Sequence, residues 1–326
     1  MSTTGSGGFN LDDLLNDARA SWRYYHYDVN RGAAIAVAAI FFVFFLTHLW
    51  LLFRKKAYYM WPFAFGVGLE VAGYVLRRIS ADHPSGTKGL PFFVAQNLAV
   101  ILGPAFMAAS HYMTFGRLVK YVSQKYTPVS AKWVTVIFVT FDVVSILVQG
   151  GGGSLFASEK PNIYKIAKAI LLVGFIIQII AFGIFGIFGV VYQIRARRDG
   201  ENSKPWQYCL YTLYAGCVLI LIRGIFRTIE FGSGSGGGRG YLLENEGFYY
   251  GLEALPIILA TFLFIVSHPS RYIPSDTTVL LHPENRDYEE QIEKAGARFC
   301  GCGRRKDIAD YPCSAGTEKI AGEVFS

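Results

Sequence analysis

The hydrophobic positions of this chain fall into long blocks, not into the short alternations of a soluble domain. Apolar blocks stand near 32–53, 58–79, 91–116, 131–153, 166–192, 206–230 and 247–267. Each has about the 20 residues a helix needs to cross roughly 30 Å of hydrocarbon. The first carries no fixed charge, and the fifth none after Lys168. The second is the weakest by hydropathy, because GVGLEVAGYVL is interrupted by Glu70 and ends at Arg77 and Arg78. The pattern predicts an all-α membrane protein, a seven-transmembrane helix bundle with short loops over 32–267. An extracellular N-terminal segment is expected at 1–31 and a polar, flexible cytoplasmic tail at 268–326. The first block is too long, and lies behind too much polar chain, for a cleaved signal peptide.

Composition excludes other classes. Charged residues make up 17% of the chain, against roughly 25% in an average soluble domain, so disorder of the whole chain is ruled out. Five Cys in 326 residues are too few for a disulfide-stapled miniprotein. The net charge of +7 is better read as topology than as nucleic-acid binding. Arg54, Lys55 and Lys56 follow the first block, Arg117, Lys120, Lys125 and Lys132 the third, and Arg195, Arg197, Arg198 and Lys204 the fifth. These loops alternate, so they share one side, with the tail that carries Arg304, Arg305 and Lys306. By the positive-inside rule that side is the cytoplasm. The N-terminus is then outside, and the plasma membrane is the expected location. Cys300, Cys302 and Cys313 fall in the tail and read first as plain thiols, then as palmitoylation sites.

A charge at the bilayer centre costs about 2.5–3.5 kcal/mol even on the gentle insertion scale. The acids inside the blocks are Glu70, Asp142, Glu230 and Glu253, and the bases are Arg77, Arg223 and Arg227. Near balance implies pairing within the bundle. Glu70, Tyr74 and Arg77 stand at i, i+4 and i+7, one face of a helix. Arg223, Arg227 and Glu230 repeat that spacing, and Asp142, Ser145 and Gln149 stand at i, i+3 and i+7. Three polar faces point to one shared interior, to which Gln96, Asn97 and His111 are added from the third block and Glu253, with Glu246 at its outer end, from the seventh. Pro104 interrupts the backbone ladder between Gln96 and His111. The alternative is that such pairs merely lock helices together, a role worth about 0.6 kcal/mol per hydrogen bond. So many ionisable groups favour a polar cavity for a ligand with a charged head group. Gly183, Gly186 and Gly189 share a side of the fifth block and read as a close helix contact, or equally a dimer face, so oligomeric state stays open. QGGGGS at 149–154 and GSGSGGGRG at 232–240 read as flexible loops, since no phosphate-binding pattern accompanies them. No cofactor is implied.

The segments LEVAGYVLRR (69–78), QNLAVILGPAFMAASHYMTFGR (96–117), FDVVSILVQGGGG (141–153), RGIFRTIEFGSG (223–234) and NEGFYYGLEA (245–254) resemble, in order, the signature segments of one family. It is the fungal aminocholesterol-resistance (RTA-like) family, also called the lipid-translocating exporter family. The resemblance runs from about residue 25 to 270 and leaves out the tail. It implies a seven-span fungal membrane protein linked to resistance toward toxic sterols, to outward movement of sphingoid long-chain bases, or to porphyrin handling. The family's shared polar positions would fall on Glu70, Tyr74, Arg77, Gln96, Pro104, Tyr112, Arg117, Asp142, Gln149, Arg223, Arg227, Glu230 and Glu246. The chain departs from the family at Glu253, where Asp is usual, at Gly247, where a bulky aromatic is common, and at Gly103, where Ala often precedes the proline.

The leading expectation is a translocator of membrane lipids or amphiphilic small molecules with no ATPase of its own. A seven-span lipid sensor is the first alternative, although the rhodopsin-like Asp-Arg-Tyr and Asn-Pro-x-x-Tyr marks are missing. An intramembrane metal-dependent hydrolase is the second, with His48, His111, Asp142 and His268 as its only candidate ligands. No two of these histidines share a short helical spacing.

Overall fold

The computed structural model describes residues 29–82, 89–127, 130–155, 161–201, 203–233, 246–274 and 281. The expectations for the N-terminal segment, for the loop around Arg239 and for the three tail cysteines lie outside the described residues. Every long apolar block forms a helix: α1 Arg31–Arg54, α2 Trp61–Ser80, α3 Leu90–Val122, α4 Ala131–Leu155, α5 Pro161–Arg198 and α6 Lys204–Ser233. The seventh, α7, runs as Glu246–Tyr249 in α-conformation, Tyr250–Ala254 as a π-turn and Leu255–Val266 in α-conformation again. Six of the seven are long and apolar enough to span a bilayer by themselves, all but α2. At 20 residues α2 is about 30 Å long, but its charges lower its hydropathy. It crosses because neighbours cover its polar face: Glu70, Tyr74 and Arg77 are buried between α1 and α3, against which α2 packs.

Helix ends follow local chemistry. The Asn30 side chain accepts from the Ala33 amide at 3.1 Å and caps α1, satisfying one of the amides that the first turn leaves open. Proline opens α2 and α3, where its missing N–H does no harm. The helices continue past the apolar blocks. At 38 residues α5 is about 57 Å long, nearly twice the hydrocarbon thickness, so Arg195, Arg197 and Arg198 in its last turn stand clear of the apolar layer.

The helices alternate in direction. At a first end, α1 begins beside the end of α2 through Arg31–Asp82 at 3.2 Å. It also begins beside the start of α7, where the Asn30 amide donates to Glu246 Oε2 at 2.8 Å. At the second end, Lys125 after α3 meets Asp199 after α5 at 2.8 Å. There the start of α6 meets the end of α7 through Thr212 and Ser267 hydroxyls 2.7 Å apart. Outward faces carry large apolar side chains, Val43, Phe53, Leu147 and Ile187 among them, each more than half exposed. In a bilayer these meet lipid.

α2 and α3 pack closely. A Cβ on Gly66 would sit 2.5 Å from the Gly103 carbonyl, and one on Gly73 would sit 2.5 Å from Val100 Cγ2. Small residues permit this approach. The glycine stripe of α5 behaves otherwise. Gly183 and Gly186 face open space, and only Gly189 meets a neighbour, Tyr214 of α6. The expected internal helix contact is therefore made at one of its three positions. A spacing of three or four puts glycines on one side without saying what that side meets.

Candidate ligand site

The three polar faces of α2, α6 and α7 converge near the first end. Glu253 is the centre. Its Oε1 accepts from Arg223 Nε at 3.0 Å and Nη2 at 2.7 Å. Its Oε2 lies 2.7 Å from Arg227 Nε, a close ion contact without hydrogen-bond alignment. Arg227 Nη1 reaches Glu230 Oε2 at 3.0 Å, one turn along α6. From α2, Arg77 Nη2 meets Glu246 Oε1 at 3.3 Å, and Glu246 also holds the start of α1. Aromatic rings close the gaps between these charges. The Arg77 guanidinium carbon stands 4.0 Å above the Tyr249 ring, and that of Arg227 lies 5.4 Å from the same ring, as cation–π contacts favour. Tyr74 stacks on Phe41 at 5.6 Å and lies 6.4 Å from both Tyr249 and Tyr250.

Local sequence explains two of these placements. Pro256 has no N–H to continue the α7 ladder and its ring crowds the preceding turn. Just before it the helix widens into the π-turn, where the Leu255 amide reaches back to the Tyr250 carbonyl. Tyr249, Glu253 and Ala254 are buried there. π-turns of this kind recur at functional sites. On α3, Pro104 leaves the Val100 carbonyl without its helical donor, and Arg223 Nη2 donates to that carbonyl at 2.6 Å.

Glu70 completes the cluster in a different way. It is buried and feels the charges of Arg223, Arg227 and Glu253. No arginine among the described residues bridges it, and its Oε1 has no hydrogen-bond partner there. Among the described residues, Arg77, Arg223 and Arg227 thus face Glu70, Glu230, Glu246 and Glu253, three arginines against four carboxyl groups.

Not every expected residue joins. Gln96 is buried on α3 one turn before Val100, on the face packed against α2. Asp142 and Gln149 lie elsewhere. Gln149 Nε2 donates to Gln178 Oε1 of α5 at 3.1 Å. Asp142 faces the Tyr112 hydroxyl of α3, although neither group forms a hydrogen bond of ordinary geometry. The single shared interior is therefore corrected to two polar regions. Helical spacing fixes the face of α4, but that face looks toward α3 and α5. Between the regions lies a cavity of about 20 Å³ bordered by Pro104, Gln178 and Arg223, room for about one water. His111 is in neither region. Its Nδ1 is bonded to the Met107 carbonyl at 2.9 Å, and Phe63, Phe182 and Phe264 surround its ring.

The metal reading finds no geometry to rest on. His48 bonds the Thr261 carbonyl and His268 bonds Ser270. No three metal-ligating side chains converge among the described residues. The residues that sequence reasoning missed are Tyr249, Tyr250 and the Val100 carbonyl. Glu246, Tyr249 or Tyr250, and Glu253 stand at i, i+3 or i+4, and i+7, the same spacing that marked α2 and α6. A proline inside a span also announces an orphaned carbonyl four residues earlier.

Seven antiparallel helices with lipid-facing apolar surfaces and buried charges define an integral multi-pass membrane protein. The chain belongs to the RTA1-like protein family, which residues 63–276 match. It is 30% identical to Protein RTM1 of Saccharomyces cerevisiae over 298 residues, covering 78% of this chain and 94% of that protein. It is 32% identical to protoporphyrin uptake protein 1 of S. cerevisiae, covering 63% and 67% of the two chains. It is 21% identical to the sphingoid long-chain base transporter RSB1 of S. cerevisiae, covering 69% of each. Other fungal relatives are named as a lipid-translocating exporter-like protein and a probable lipid transporter. At the level of the family, then, several relatives are named for the transport of lipids or other amphiphiles across membranes. No solved structure matches the chain.

Proposed function

We propose that the protein moves amphiphiles with an amine head group, sphingoid long-chain bases foremost, out of the plasma membrane's inner leaflet and gives resistance by export. The single observation behind this reading is Glu70. It is a buried carboxyl group whose Oε1 has no hydrogen-bond partner, in a cluster that holds one more acid than base among the described residues. Each arginine of the cluster already meets a carboxylate, so among the described residues Glu70 is the acid that no arginine bridges, and an ammonium suits it. Tyr74, Tyr249 and Tyr250 offer ring faces beside it, which suit a cation, and apolar helix walls suit an alkyl chain. The name of the sphingoid long-chain base relative is consistent with this class. The proposed orientation of the bundle rests on its basic residues. The bases Arg54, Lys55, Lys56, Lys120, Lys125, Arg195, Arg197 and Arg198 all stand at the second end of the bundle, which the positive-inside rule assigns to the cytoplasm. The N-terminus and the charge cluster then face outside and the C-terminal tail lies in the cytoplasm.

The test is leaflet transfer of a fluorescent sphingoid base in liposomes carrying the purified chain, with Glu70→Gln alongside. Transfer by the wild type that falls at least about tenfold in the variant, with unchanged thermal stability, is expected. Binding of the base without transfer would favour a sensor. A Glu70→Gln protein that transfers at the wild-type rate would remove Glu70 from the path.

A further inference from the structure

α3 carries a notch where two neighbouring residues give up what a helix normally supplies. Gly103 has no Cβ, and Pro104 has no N–H. Each absence is filled by a charged side chain from another helix. A Cβ on Gly103 would lie 2.7 Å from Glu70 Oε1 of α2, so the carboxyl occupies the space an alanine methyl would take. The Val100 carbonyl, left without a donor by Pro104, is bonded by Arg223 Nη2 of α6 at 2.6 Å. An orphaned carbonyl in a bilayer is expensive, so this bond holds Arg223 firmly, and with it Glu253, whose Oε1 accepts from both Nε and Nη2 of the same guanidinium.

We propose that Gly103 and Pro104 set the head-group specificity of the site. Gly103 recesses the Glu70 carboxyl into α3, and Pro104 is the positioning residue that keeps Arg223 anchored to α3 and turned onto Glu253. With Arg223 so occupied, Glu70 stays open to an incoming ammonium instead of closing onto the guanidinium. A methyl group at position 103 pushes the carboxyl out of the recess toward the arginines. The glycine thus lets the site accept a primary amine beside the helix backbone, whereas alanine in its place would hold the carboxylate as part of the ion-pair network. The inference rests on the amine-translocation reading.

The variants are Gly103→Ala, the double variant Gly103→Ala with Glu70→Asp, and Pro104→Ala, all in the full chain. Affinity for the fluorescent sphingoid base is measured in detergent, and leaflet transfer is measured in liposomes. Gly103→Ala should weaken base binding about tenfold while leaving binding of a phosphate-headed lipid probe unchanged. The Asp side chain, one methylene shorter, should withdraw the carboxyl from the new methyl and restore affinity to within about threefold. Pro104→Ala returns a donor to Val100 and should weaken base binding without lowering thermal stability, since alanine favours the helix over proline. A purely structural role predicts otherwise. The Gly103 Cβ would also approach the Gly66 carbonyl at 3.1 Å, and a packing clash there is not relieved by shortening Glu70. Loss that Glu70→Asp does not rescue, or Gly103→Ala binding that equals wild type, overturns the proposal. Binding without transfer would sink the transport reading while the affinity pattern still decides the notch. A wild-type chain that neither binds nor transfers the base overturns both.

Discussion

The two polar regions of this bundle differ in how their charges are met. Around Glu253, charges from α2, α6 and α7 cross between helices and bind one another, with Arg223 and Arg227 sharing one carboxylate. Across α4 and α5 the polar contact is a neutral amide pair, Gln149 with Gln178. The one acid there, Asp142, meets no base among the described residues. A count of charges in the spans therefore does not reveal which ones depend on each other. Removing one partner from the first region strands others in an apolar medium. Removing a group from the second strands at most a neutral amide.

That contrast can be broken by experiment. The largest effect is expected at Glu253→Gln, which leaves two buried guanidinium groups without their shared counter-ion. The loss expected for breaking a buried pair is about 3–5 kcal/mol, read as a fall in thermal midpoint of the detergent-solubilised protein. Gln149→Ala removes one interhelical amide bond and should lose only about 0.6 kcal/mol by the same assay. Asp142→Asn should be the mildest, because an isosteric amide replaces a carboxyl whose two oxygens have no partner. Its midpoint is expected to stay level or rise slightly. An Asp142→Asn protein as damaged as Glu253→Gln would show that the second region holds a charge pair after all, and the distinction between the regions would fall.

Much of this architecture is legible in the sequence. All seven helices stand where the apolar blocks lie, because hydrocarbon thickness fixes the length of a span. The ends are less legible. The block at 91–116 stops at Arg117, yet α3 runs on to Val122, since backbone hydrogen bonding continues where hydropathy stops. The cluster is half legible. Spacing at i, i+4 and i+7 finds Glu70 with Arg77 and Arg223 with Glu230, because such residues share a face whatever surrounds them. The same rule on α4 finds Asp142 and Gln149 but not their direction, which depends on how α4 is rotated against α3 and α5. Nor can spacing tell which arginine takes which carboxylate. That pairing depends on Pro104 and on the π-turn of α7, two departures from regular helix that alter which backbone and side-chain atoms meet.

The π-turn also bears on how this family can change length. Within a regular helix, deleting one residue swings everything on one side of the cut by about 100°, and in a bundle that turns buried groups toward lipid. Tyr250–Ala254 already holds a wider turn than its neighbours. A single-residue deletion inside it can be taken up by tightening that turn into ordinary α-helix, with Glu246 and Tyr249 on one side and Thr261 and Phe264 on the other keeping their facings. Among the described residues this is the one stretch of spanning helix with such slack. A scan of single-residue deletions along the chain would find there, inside the membrane, a point where the helix faces survive although the Glu253 pairing is lost, and not only in the loops where insertions and deletions ordinarily collect.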